Sequence, residues 1–277
     1  MADELNPAAL PPSAPVEAPT GNEGAWFRLS VPYLAAILLV CVYIASFQLP
    51  FVMESGRLVT LVILGAVATA IAGVSAFYLV RQLRAAVPPM VLSLGAFGFL
   101  MLVTTDFGRY GLTVIVAILV GIYLAYLENR PAVLTAEQAA DEERLVLVLL
   151  APAIFFVLAF AFAVVELTSV PVWEAALPVA LVAAFVTAES VSRRPSAPAV
   201  WLLPVAAAAL SLEFFVTLSF LPVQYLVNGA VAAILFSLFW HKVNDTLTPN
   251  VDCLSYRRQA ALSVLLIVII LVTAQWL

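Results

Sequence analysis

Charge is what this sequence lacks most. Only 10% of its 277 residues are Asp, Glu, Lys or Arg, whereas 64% are hydrophobic; a water-soluble domain carries roughly a quarter charged residues and about half apolar. So little polar surface excludes an ordinary soluble fold. Histidine occurs once and cysteine twice, at Cys41 and Cys253, which excludes a histidine-based metal cluster and a disulfide framework. The Walker loop, the Gly-x-Ser-x-Gly elbow, the His-Glu-x-x-His helix and the Cys-x-x-Cys pair are also missing. No catalytic residue, metal ligand or cofactor follows from the sequence. The net charge of −5 reflects short acidic stretches in the N-terminal tail and at 137–143, so there is no basic footprint for nucleic acid.

Long apolar blocks are what the sequence does have. Nine can be counted, at 31–49, 58–80, 88–104, 112–127, 145–165, 171–189, 200–220, 223–240 and 259–276. About 20 such residues span the hydrocarbon core as a helix, and the blocks lack the alternation of barrel strands. The expected fold class is therefore all-α, a polytopic transmembrane bundle occupying 26–277. Residues 1–25, rich in Pro and Ala and bearing acids but no Lys or Arg, are expected to form a disordered tail. The first block is long enough to act as an uncleaved signal anchor.

Nine spans place successive loops on alternate sides. Arg28, Arg81, Arg84, Arg130, Arg144, Arg193, Arg194, Lys242, Arg257 and Arg258 then share one side, leaving Arg57 and Arg109 on the other. The positive-inside bias makes the first side cytoplasmic, with the N-terminus inside, the C-terminus outside and the protein in an inner membrane. The five tryptophans fall at span ends, where an indole favours the headgroup layer. Pro32 and Pro88 stand near expected helix starts, whereas Pro152, Pro178 and Pro204 fall inside spans and are expected to kink them. Thr135-Ala-Glu-Gln138 reads as a capping box that opens a helix before the fifth span. Gly65, Thr69 and Gly73 form a small-residue stripe for close helix packing.

Two repeats suggest themselves. Glu54-Ser-Gly-Arg57 and Asp106-Phe-Gly-Arg109 share an acid-x-Gly-Arg unit in the first two outer hairpins. A fainter offset near 110 relates spans one to four to spans five to eight, a parallel four-plus-four arrangement with one terminal helix. The paired units admit a structural reading, in which glycine makes a tight turn and the arginine meets its acid, and a functional one. In the functional one, Arg57 and Arg109 bind the phosphate of a lipid, with Glu54 or Asp106 as base of an outer-leaflet transferase.

Glu213 is the deepest ionisable residue, and Gln224 and Asn228, four apart, could complete a polar patch with it. An intramembrane carboxylate is a functional candidate by default, which motivates a small transporter or lipid flippase. The leading expectation is nonetheless a non-enzymatic accessory or scaffolding component, since nearly every polar residue has an adequate structural role. Its partners would be membrane lipid and a protein contacted through the tail and charged loops.

Overall fold

The computed structural model describes residues 22–48, 55–131, 135–168, 170–192, 201–247 and 253–274. Among them are nine helices and no sheet: α1 (Asn22–Gln48), α2 (Ser55–Val80), α3 (Leu83–Leu100), α4 (Asp106–Glu128), α5 (Ala136–Leu167), α6 (Val172–Ser192), α7 (Leu202–Leu218), α8 (Tyr225–Leu247) and α9 (Cys253–Thr273). Seven, α1 to α6 and α8, are long and apolar enough to cross a membrane. α7 is apolar but has 17 residues, about 25 Å at 1.5 Å per residue.

Several helices begin outside the apolar blocks, because a helix end is set by caps rather than by hydropathy. The Thr135 hydroxyl accepts from the Gln138 backbone N–H while the Gln138 side chain accepts from the Thr135 N–H, the expected capping box. α5 runs from that box for 32 residues. The Thr105 hydroxyl likewise accepts from Gly108 N and opens α4 at Asp106, so the second acid-x-Gly-Arg unit is the first turn of a helix. The expected positive-φ turn is absent, since no described glycine has positive φ. Gly108 is small for another reason: a Cβ there would meet Thr105 Oγ1 at 2.8 Å, crowding the cap. Pro32 and Pro88 lie within α1 and α3 rather than at their starts, whereas Pro204 falls in the first turn of α7, where no kink is required.

Small residues bring the helices together. A Cβ on Gly65 or Gly73 would strike Phe97 or Met90, so two members of the stripe on α2 serve packing against α3, the two helices running antiparallel. A Cβ on Gly95 would meet Ala153 O at 2.9 Å and one on Gly98 would meet the Phe160 ring at 2.9 Å, so α3 lies parallel to α5 at close range. Without a hydrophobic drive between helices in lipid, such backbone approach supplies the van der Waals contact that holds a bundle. At the α4–α5 corner, Arg130 Nε donates to Glu142 Oε2 at 2.7 Å, a largely buried ion pair.

The packing order recurs. α1 packs on α2 and α4, α2 on α3 and α3 on α4; α5 packs on α6 and α8, α6 on α7 and α7 on α8. The helix ends recur as well. The first residues of α3 and α7, Leu83 and Leu202, and of α4 and α8, Asp106 and Tyr225, are each 119 residues apart, a spacing longer than the expected 110, and the last residues of α3 and α7, Leu100 and Leu218, are 118 apart.

Candidate functional site

A sequence motif, Leu-Ser-Leu-x-x-Phe-x-x-Leu, recurs at a spacing of 118, in α3 from Leu92 to Leu100 and in α7 from Leu210 to Leu218. In α3 the motif looks inward. The Tyr43 hydroxyl donates to the Ser93 carbonyl at 3.0 Å and shares a second 3.0 Å hydrogen bond with the Ser93 hydroxyl, and the Tyr43 ring lies 5.9 Å from Phe97. In α7, Phe215 stacks on Phe162 at 4.3 Å between ring centroids. Phe162 has no hydroxyl, and the buried Ser211 hydroxyl has no hydrogen-bond partner. Ser211 borders a cavity of about 20 Å³ between α5, α6, α7 and α8 whose other lining residues are apolar.

The inward face of α7 is made by Ala207, Ser211, Phe215 and Leu218. Glu213 is therefore on the outward face, exposed beside Leu212. It stands five residues before the end of α7, about 7.5 Å inside it along the axis. Gln224 does not share a helical face with Asn228, because it precedes α8. Its carbonyl accepts from the Val227 and Asn228 amides and it is exposed, whereas Asn228 is buried and its Nδ2 donates to Val223 O at 3.4 Å. Among the described residues no hydrogen bond joins Glu213 to Gln224 or Asn228.

Arg109 is engaged within its own corner. Its Nε donates to Val103 O at 2.7 Å, its guanidinium lies 3.9 Å from Asp106 Oδ1, and its Cζ sits 5.9 Å from the Phe47 ring centroid. These contacts tie the end of α1, the turn after α3 and the start of α4 together. Asp106 is exposed. Glu54 and the side chain of Arg57 lie outside the described residues.

Two larger spaces are grooves on the bundle's outside, about 420 Å³ between α1 and α4 and about 340 Å³ between α5 and α8. Both are apolar in the main. On α4 the first is lined by Val114, Ala117, Ile118, Gly121, Ile122 and Ala125; on α8 the second is lined by Ala233, Phe236, Ser237, Trp240 and His241, each 119 residues beyond one of the first five. Trp240 is buried and its indole N–H has no acceptor, unlike the wet interfacial indole expected there. No group of three or more His, Cys, Asp or Glu residues that could hold a metal occurs among the described residues.

Fold and site together define a helical bundle with at least seven helices fit to cross a membrane, with a carboxylate on its outer surface. The chain matches no protein-family model, no curated protein and no solved structure.

Proposed function

We propose that this chain is a non-enzymatic accessory or scaffolding component of an inner membrane, with nine spans, the N-terminus cytoplasmic and the C-terminus outside. It is built from two parallel copies of a four-helix unit followed by α9. The 119-residue spacing of the starts of α3 and α7 and of α4 and α8, the doubled Leu-Ser-Leu-x-x-Phe-x-x-Leu motif and the recurring packing order support the duplication. The observation that carries the functional reading is the outward placement of Glu213. A transport path needs polar groups lining an interior route, whereas Glu213 is on the outside and the spaces described between the helices are lined mainly by apolar residues. An outer-leaflet transferase would need Arg109 to release the contacts it makes with Val103, Asp106 and Phe47 before it bound phosphate.

A scaffold is found in company. Extracted from its native membrane in polymer-bounded lipid discs, the chain is expected to give a native mass that exceeds its own 29.6 kDa by a discrete amount that is not a multiple of it. A mass of one chain or of whole multiples would overturn the reading. Phosphate-dependent lipid turnover by the purified protein would replace it with the transferase.

A further inference from the structure

In α3 the face that carries Gly95 and Gly98 is covered by α5, with Ala153, Val157 and Phe160 seated where the glycines leave room. By the shared motif, the residues of α7 that correspond to Gly95 and Gly98 are Glu213 and Val216. Among the described residues no helix packs on that face as α5 packs on α3. α7 packs on α6 and α8, and α9, the next helix in order, packs on α8. The exposed residues of α7 on and around it are Leu202, Val205, Ala206, Ala209, Leu212, Glu213 and Thr217.

We infer that this face of α7 is the docking surface for a transmembrane helix of a different protein, one that carries a Lys or Arg side chain at the depth of Glu213. The inference rests on the accessory reading above and names the chemistry of its partner. A lone charged carboxylate facing hydrocarbon is costly, and intramembrane acids are met by a cation or a donor. The alanines at positions 206 and 209 share the face of Glu213 by their three- and four-residue spacing, and small side chains let a second backbone approach closely. A second copy of this chain is the weaker candidate. In the proposed topology only its Arg57 and Arg109 share the side of Glu213; both stand in the first turn of a helix, α2 and α4, and Arg109 is already held by its own corner. The face of α1 that corresponds to the α5 face is apolar, with Leu34 and Leu38 exposed.

The test uses the full chain in its native membrane, with a photoreactive benzoylphenylalanine at Ala209 and a control at Ile118 on the outside of α4. The expected result is one discrete protein adduct at position 209 and none at 118. The adduct peptide, sequenced by mass spectrometry, should contain a Lys or Arg within an apolar stretch of spanning length. Glu213→Leu should reduce the adduct roughly tenfold, and Glu213→Gln, which keeps hydrogen bonding, should reduce it less. The inference is overturned by an adduct to lipid only, to a second copy of the chain or to a segment with no cation, and equally by an adduct indifferent to Glu213→Leu. Thermal unfolding of both variants in lipid discs separates loss of docking from loss of folding: if Glu213→Leu unfolds early, the Glu213→Gln comparison decides. A heteromeric native mass without an adduct at 209 sinks this inference alone; a mass of this chain only sinks the accessory reading with it.

Discussion

The clearest lesson at the scale of single residues comes from two serines in corresponding places. Ser93 completes a hydrogen-bonded pair with Tyr43, whereas Ser211 has no such partner, the ring packed on the motif's phenylalanine there being Phe162. A buried hydroxyl with no partner forfeits its hydration for nothing, whereas a satisfied pair contributes about 1 kcal/mol. Tyr43→Phe is accordingly expected to lower stability by about 1 kcal/mol, and Ser211→Ala to leave it unchanged or raise it slightly. Thermal unfolding in lipid discs measures both; equal losses in the two variants would show that the serines are not distinguished by their partners. None of this was legible in the sequence, where both serines sit in the same nine-residue motif. The depth of Glu213 was legible from its position along α7, but its facing was not. A helix that is apolar on every side has no stripe to point inward, and only packing by Ala207, Ser211, Phe215 and Leu218 decides which way Glu213 looks.

For whole elements, the sequence located every helix and misplaced several ends. Apolar blocks report where a segment suits hydrocarbon, whereas α1, α4 and α5 begin in polar stretches. The Thr135 capping box was read correctly because it is a local pattern of side chain and backbone; the Thr105 cap has no reciprocal glutamate or glutamine and gave less signal. Glycine was harder. Gly95 and Gly111 look alike in sequence, yet a Cβ on Gly95 would meet the Ala153 carbonyl at 2.9 Å, while one on Gly111 would meet nothing within 4 Å. Gly95→Ala must push α3 and α5 apart, since a backbone carbonyl cannot rotate away, and overpacking of this kind costs about 2 kcal/mol. Gly111→Ala instead gains helix propensity, up to about 1 kcal/mol. Unfolding of the two variants side by side checks the contrast, and a Gly95→Ala protein as stable as the parent would mean that the α3–α5 approach is not as close as the structure has it.

The whole molecule poses a question of parity, because the side on which the chain ends depends on whether α7 and α9 both cross. α7 offers about 25 Å of helix against a hydrocarbon thickness of roughly 30 Å, and exposed Trp201 and Phe220 flank it at the two ends. Aromatic flanks of that kind anchor a short span, and modest thinning of the bilayer accommodates the mismatch. α9 begins with Arg257 and Arg258 and continues as an apolar helix to Thr273. If both cross, the corner before α4 faces outside, the link between α2 and α3 faces the cytoplasm, and the C-terminus emerges outside. Phe107 and Leu83 are exposed at those two corners and make suitable reporters. In a background with Cys41 and Cys253 changed to serine, Phe107→Cys should react with a membrane-impermeant maleimide in intact cells, and Leu83→Cys only after permeabilisation. A phosphatase that matures only outside should be active when fused after Leu277 and inactive when fused between α8 and α9. An active α8–α9 fusion with an inactive C-terminal fusion would mean that α7 fails to cross, and two inactive fusions that α9 fails to cross, either leaving eight spans; two active fusions would mean that neither crosses and that seven spans remain; reversed labelling at 107 and 83 would invert the molecule and place Glu213 towards the cytoplasm.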